Sequence, residues 1–291
     1  MNVSRVCLMF LLLLIGCDLV GFGQSEESTV GSQHGTCAIV LATKTDVAVA
    51  VDSKLTRFGT QPSCEQNNRP GCKAVLVRKD VLLVVTGLFN DSDGLNDWVV
   101  SQETEKLLTK LPKTVTMDAM SQFSEEWFTV LNWHYRGMKP PHPNNTVIST
   151  LLVISRINGV PYIYRFDVHA GPAGLLEGLG EFLFVADKPG LMYAGSCRDN
   201  IGKYTDEVYL PPFDPPGENF QRELTELGSR KNHLTTASEF ATVLREYEDI
   251  FQRIEDSKRR CVIGPPIDVA TWGKGEDGWT TDFKVSCRPK P

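Results

Sequence analysis

The sequence predicts an α+β fold in which two antiparallel sheets pack together between helix layers. Three observations carry this expectation. Short apolar runs of strand length occur in pairs around turn residues, three stretches repeat apolar residues at helical spacing, and the helices are segregated from the strands along the chain. With 291 residues, 41% of them apolar, the chain can bury a full-sized core, and one large domain fits its length better than two small ones.

Taken in order, residues 1–23 read as an export signal. Arg5 supplies the positive start, an apolar run follows from Val6, and Gly21-Phe22-Gly23 offers small residues for cleavage. The run is too short for a comfortable membrane span, and no later segment is apolar enough for one. Leu14-Ile15-Gly16-Cys17 resembles a bacterial lipoprotein box. Cys17 therefore has two readings, a lipid anchor or a discarded signal residue, and the product is expected to be secreted, periplasmic or membrane-anchored. Residues 24–35 are polar and read as a short disordered leader, with order beginning at Thr36.

The domain proper is expected over residues 36–291. Residues 37–41 and 47–51 form a predicted hairpin, and residues 74–77 and 81–86 a second pair turning at Arg78-Lys79-Asp80. Leu95, Trp98, Val99, Leu107, Leu108 and Leu111 predict one amphipathic helix; Met117, Met120, Phe123, Trp127, Val130 and Leu131 predict another. Asp118, Glu125 and Glu126 fall on polar faces and read as solvated. Asn158-Gly159, between strands at 150–157 and 162–168, is the strongest hairpin signal in the chain. Further short extended segments are expected at 182–186 and 191–194, and an irregular proline-rich stretch at 206–217. A long helix at 237–254 carries Phe240, Val243, Leu244, Tyr247, Ile250, Phe251 and Ile254 on one face, with Thr235 and Thr236 as capping candidates. Strands at 267–272 and near Phe283-Lys284-Val285 close the chain.

The net charge of −6, without a basic stripe, argues against a nucleic-acid partner. Removing residues 1–23 leaves six cysteines, Cys37, Cys64, Cys72, Cys197, Cys261 and Cys287. In an oxidising compartment they favour disulfides, Cys64 with Cys72 first and Cys261 with Cys287 second. There is no CxxC and the five histidines are scattered, so no metal or other cofactor is expected. Asn90-Asp91-Ser92 and Asn144-Asn145-Thr146 match glycosylation acceptors.

The most informative stretch is His34-Gly35-Thr36-Cys37-Ala38-Ile39-Val40, followed by Ala48-Val49-Ala50-Val51-Asp52-Ser53-Lys54-Leu55-Thr56. Lys73 then opens Ala74-Val75-Leu76-Val77, Thr86-Gly87 closes the next run, and Gly264 to Trp272 with Asp277-Gly278-Trp279 lies near the end. Together these residues resemble the proteasome β subunits, N-terminal-nucleophile hydrolases. The resemblance spans Thr36 to about Trp279, by motif at its ends and by element order between. It departs from the family in a longer loop before Lys73, which carries Cys64 and Cys72, and in the export signal.

The resemblance implies a four-layer αββα sandwich and a threonine-type peptidase that matures by cutting the Gly35-Thr36 bond. It implies Thr36 as nucleophile, Lys73 as the neighbouring positive charge, Asp52 as its orienting partner, the Gly87 N–H as oxyanion donor and Ser196 as an accessory hydroxyl. Asp256 is the nearest candidate for the aspartate beside Ser196. Family members usually form rings, so the resemblance implies a peptide or protein substrate and a homo-oligomeric ring as the expected partners.

Chemistry supports the same reading. A hydroxyl is a poor nucleophile until a base takes its proton, and a free α-amine, with a pKa of about 8, is such a base when the nucleophile is the first residue. Each residue alone has a plain reading: Asp52 capping a turn, Lys73 on a solvated strand edge, Gly-Thr without meaning. Cys37 is a competing nucleophile, or simply a buried strand residue. A catalytically inactive proteasome-fold subunit with an assembly or binding role is the alternative function, and a hydrolase of small amides is another.

Overall fold

The computed structural model describes residues 33–35, 37–57, 69–70, 73–91, 98–99, 106–107, 110–135, 147–172, 175–183, 185–195, 219–257 and 263–284. The export-signal residues, Cys17, Thr36, Ser196 and the stretch at 206–217 lie outside them. The strands are β1 (Gln33–Gly35), β2 (Cys37–Ala42), β3 (Val47–Asp52), β4 (Lys54–Arg57), β5 (Arg69–Pro70), β6 (Ala74–Arg78), β7 (Val81–Asp91) and β8 (Trp98–Val99). They continue as β9 (Val147–Ile157), β10 (Val160–Ala170), β11 (Leu176–Leu183), β12 (Gly190–Gly195), β13 (Ile267–Trp272) and β14 (Thr280–Asp282). The helices among the described residues are α1 (Met117–Tyr135), α2 (Phe220–Lys231) and α3 (Ala237–Ser257). None of them is long and apolar enough to cross a membrane.

These elements make a mixed α/β structure with two antiparallel sheets. The larger runs β11-β10-β9-β7-β1-β4-β5, with β6 and β8 also paired to β7; the smaller runs β12-β2-β3-β13-β14. Strand alternation sorts the core into three clusters. Val47, Val49 and Val51 of β3 and Ala38 and Val40 of β2 share a cluster with Leu82, Val84, Leu152 and Ile154 of the larger sheet. The opposite faces, Ala48, Ala50, Cys37, Ile39 and Leu41, pack with Leu224, Phe240, Leu244, Tyr247 and Phe251 of α2 and α3. The other side of the larger sheet packs Val81, Leu83, Val85, Leu151 and Val153 against Met120, Phe123, Trp127 and Leu131 of α1.

Both early hairpins and the Asn158-Gly159 turn form where the sequence placed them. Asn158 (φ 54°) and Gly159 (φ 81°) both adopt positive φ, which a tight two-residue hairpin requires. Helix α3 begins at Ala237 behind a capping box: the Thr236 hydroxyl accepts from the Glu239 N–H at 3.3 Å, and the Glu239 carboxylate accepts from the Thr236 N–H at 3.0 Å.

Four expectations are corrected. Gln33–Gly35, expected in a disordered leader, is a strand, because β4 and β7 offer it backbone partners on both sides. Trp98 and Val99, expected in a helix, pair with Asn90 and Asp91 of β7; Lys106 and Leu107 are helical. The extended segment at 182–186 begins earlier, as β11, whose glycines mask the pattern. A Cβ at Gly178 would lie 2.5 Å from the Phe166 ring, and one at Gly180 2.0 Å from the Tyr164 hydroxyl. The last strand forms at Thr280–Asp282 rather than around Phe283. Helix α2 follows the proline-rich stretch and has no counterpart in the sequence reading; Asn219 caps it by accepting from the Arg222 N–H at 3.0 Å.

Candidate functional site

Alternation along β3 decides which way Asp52 faces. Ala48 and Ala50 face the helices, and Asp52 continues that row at the strand's end. Its Oδ1 accepts the backbone N–H of Cys37 at 2.7 Å and the Lys73 ammonium at 3.1 Å. Both side chains of the ion pair are fully shielded from solvent. Lys73 precedes β6, and its carbonyl accepts the Val85 N–H of β7 at 2.8 Å, so the larger sheet holds the lysine while the smaller one holds the aspartate. Burial is the main influence on Lys73 and pulls its pKa below the usual lysine value; Asp52, Glu248 and Asp268 oppose that pull.

Two more buried carboxyl groups adjoin the pair. Asp268 on β13 accepts the Ser53 hydroxyl at 2.6 Å and the backbone N–H of Lys284. Glu248, on the core face of α3, is fully buried, and neither carboxyl oxygen has a hydrogen-bond partner. Desolvation drives its pKa well above the usual carboxylate value, the negative charge of Asp52 pushes the same way, and Lys73 pulls against both. The sequence reading missed both residues. Glu248 carried a usable signal, an acid one turn from both Leu244 and Phe251 within an apolar stripe. Asp268 carried none, since an acid in a short strand reads equally well as solvated.

On the larger sheet, β1 lies between β7 and β4, with Gly35 opposite Gly87 and His34 opposite Thr56. Gly87 has φ 84°, and a Cβ there would lie 2.3 Å from the Ile148 carbonyl oxygen. The position is thus closed to other residues on two counts.

Of the predicted site residues, the structure brings Asp52 and Lys73 into contact and places Gly87 opposite the leader. Thr36 and Ser196 lie outside the described residues, although Thr36 is joined covalently to Gly35 of β1 and Cys37 of β2. Asp256 sits half-buried in the last turn of α3. Cys37 is fully buried and disulfide-bonded, which removes the free thiol that a competing nucleophile needs. Its partner, like Cys64, Cys72, Cys261 and Cys287 of the two expected pairings, lies outside the described residues. Among the described residues no group of three or more His, Cys, Asp or Glu is arranged to hold a metal ion. In comparisons with known proteins, no family model matches this chain, and no characterised protein matches it in sequence.

Proposed function

We propose that this protein is an N-terminal threonine hydrolase acting on peptide bonds, built as a four-layer αββα sandwich of the proteasome β type. The observation that carries the reading is the fully buried Lys73–Asp52 pair, tied at 2.7 Å to the backbone N–H of the residue that follows Thr36. A buried ion pair is weak evidence for stability alone, because desolvation offsets much of its attraction. Here it holds Cys37, the residue directly after Gly35-Thr36 in the chain.

In this reading the Thr36 hydroxyl attacks the Gly35 carbonyl, the acyl group moves from nitrogen to oxygen and frees the Thr36 α-amine, and water then hydrolyses the ester, releasing the leader as a Gly35 carboxylate and restoring the hydroxyl. That amine then takes the hydroxyl proton as Thr36 adds to a substrate carbonyl and returns it to the leaving amine, and water hydrolyses the resulting ester to release the acyl product and restore the Thr36 hydroxyl. Lys73 lowers the cost of the alkoxide through its charge, Asp52 orients it, and the Gly87 N–H donates to the oxyanion, a donor worth on the order of 3 kcal/mol. The pairing of β1 with β4 and β7 supports peptide as the substrate class. A departing leader vacates a strand-shaped slot whose backbone groups would bind another extended chain.

The test is the N-terminus of purified protein. A chain beginning at Thr36, modified there by a threonine-directed inhibitor and left uncut in Thr36→Ala, is the expected result. A chain that retains Gly35 and resists the inhibitor would instead make this an inactive subunit of the same fold. Hydrolysis of small amides but not peptides would reassign the substrate class.

A further inference from the structure

The reaction above leaves both Asp268 and Glu248 without a task, and of the two only Glu248 has no hydrogen-bond partner. It projects from α3, which packs on β2, β3, β13 and α2. The charged groups on these elements sort clearly. Asp52 of β3 and Lys73 act on Glu248. Asp268 of β13 binds Ser53, and β2 contributes only the disulfide-bonded Cys37. From α2, Glu223 pairs with Arg253 and Arg230 with Glu246; Lys231 does not act on Glu248. On α3 itself, Arg245 pairs with Asp282 and Arg253 with Asp249, while Glu239 caps the helix start and Asp256 lies in its last turn. Among the described residues, an ionised Glu248 would therefore add its charge to those of Asp52 and Asp268 around the Lys73 ammonium, and its own oxygens have no donor.

We propose that Glu248 is a positioning residue: a carboxylic acid kept protonated behind the Lys73–Asp52 pair, whose ionisation sets how tightly Lys73 holds its proton. While Glu248 is neutral, only Asp52 and, more weakly, Asp268 oppose the desolvation of Lys73, and the ammonium gives up its proton more readily. Once Glu248 ionises, a further negative charge faces Lys73 and fixes the proton on it. The two states of Glu248 differ by one proton exchanged with solvent, so no other reactant is needed. The consequence for catalysis rests on the function proposed above; the protonation of Glu248 does not.

Two measurements test it in the full chain with Glu248→Gln, which copies the neutral acid in size and charge. The first is denaturant unfolding from pH 5 to 9. A group whose folded pKa is raised stabilises the protein fully below its unfolded pKa and loses that contribution as pH rises toward the folded value. The wild-type unfolding constant should therefore rise relative to that of E248Q by up to about tenfold per pH unit across this window. The infrared difference between the two proteins at neutral pH should show a protonated carboxyl band. A flat or opposite pH dependence, a carboxylate band in its place, or failure of E248Q to fold would overturn the proposal, since a neutral isostere should fit. The second measurement is the pH profile of peptide kcat/KM. Without an ionisable Glu248, its alkaline limb should move to lower pH, and superimposable profiles would reduce Glu248 to packing. If the wild type cleaves nothing while the unfolding and infrared results hold, the hydrolase reading fails and the protonated Glu248 stands.

Discussion

The two ends of β3 bury charge in opposite ways. At the Val47 end, Arg156 donates to the carbonyls of Thr45, Trp272 and Gly273 and lies 4.5 Å over the Trp272 ring. Asp46 there accepts the backbone N–H groups of Ala237 at 3.3 Å and Lys274 at 3.1 Å. These contacts clasp three turns and the start of α3 together. At the Asp52 end, roughly 17 Å away at strand rise, the described residues bring together Lys73, Asp52, Asp268 and Glu248, and the Glu248 carboxyl has no hydrogen-bond partner. The first arrangement satisfies neutral backbone groups with charge-assisted bonds and has a structural purpose. The second stores an electrostatic imbalance, which structure alone does not require and chemistry can use.

Substitutions at each end sharpen that contrast. The largest effect should come from Lys73→Met, which strands Asp52 as an uncompensated buried charge at a cost of about 3–5 kcal/mol in denaturant unfolding. It should also abolish inhibitor labelling of Thr36. Retained labelling would remove Lys73 from the proposed reaction. Gly87→Ala comes next: left-handed backbone costs a side chain about 1–2 kcal/mol, and contact with Ile148 adds to it. Loss of turnover by on the order of a hundredfold is expected if its N–H serves the oxyanion.

At the other end, Arg156→Ala should cost about 2 kcal/mol through lost bonds to carbonyls. A stabilised preparation should label Thr36 at the wild-type rate, and a labelling defect would break the division into a clasp and a site. The smallest effect, about 1 kcal/mol, is expected for Thr236→Ala, which removes the α3 cap. Thermal unfolding would report it, with no change in the pH profile of any activity.

Much of this contrast could be read from the chain. The Asp52 and Lys73 positions followed from motif and spacing, and the paired strands from apolar runs broken by turn residues. Glu248 was missed: it lies within the apolar stripe of 237–254, but that stripe does not by itself separate a buried acid there from a solvated one. The leader strand was illegible for a different reason. Gln33-His34-Gly35 has no strand pattern of its own, and its extended form comes from the unpaired backbone of β4 and β7. In β11 the absent side chains of Gly178 and Gly180, which admit the rings of Phe166 and Tyr164, read locally as breaks.

By itself, the sequence determined the local terms: which segments pair as hairpins, where α1 and α3 run, and which residue types stand at the strand starts. These depend on turn chemistry and periodicity within a few residues. Tertiary structure alone decided that Lys73 from one sheet meets Asp52 from the other, that Gly35 lies opposite Gly87, and that Glu248 enters the same chamber with no donor. Proton affinities in that chamber depend on burial and on charges brought together from distant parts of the chain, and no local pattern encodes either.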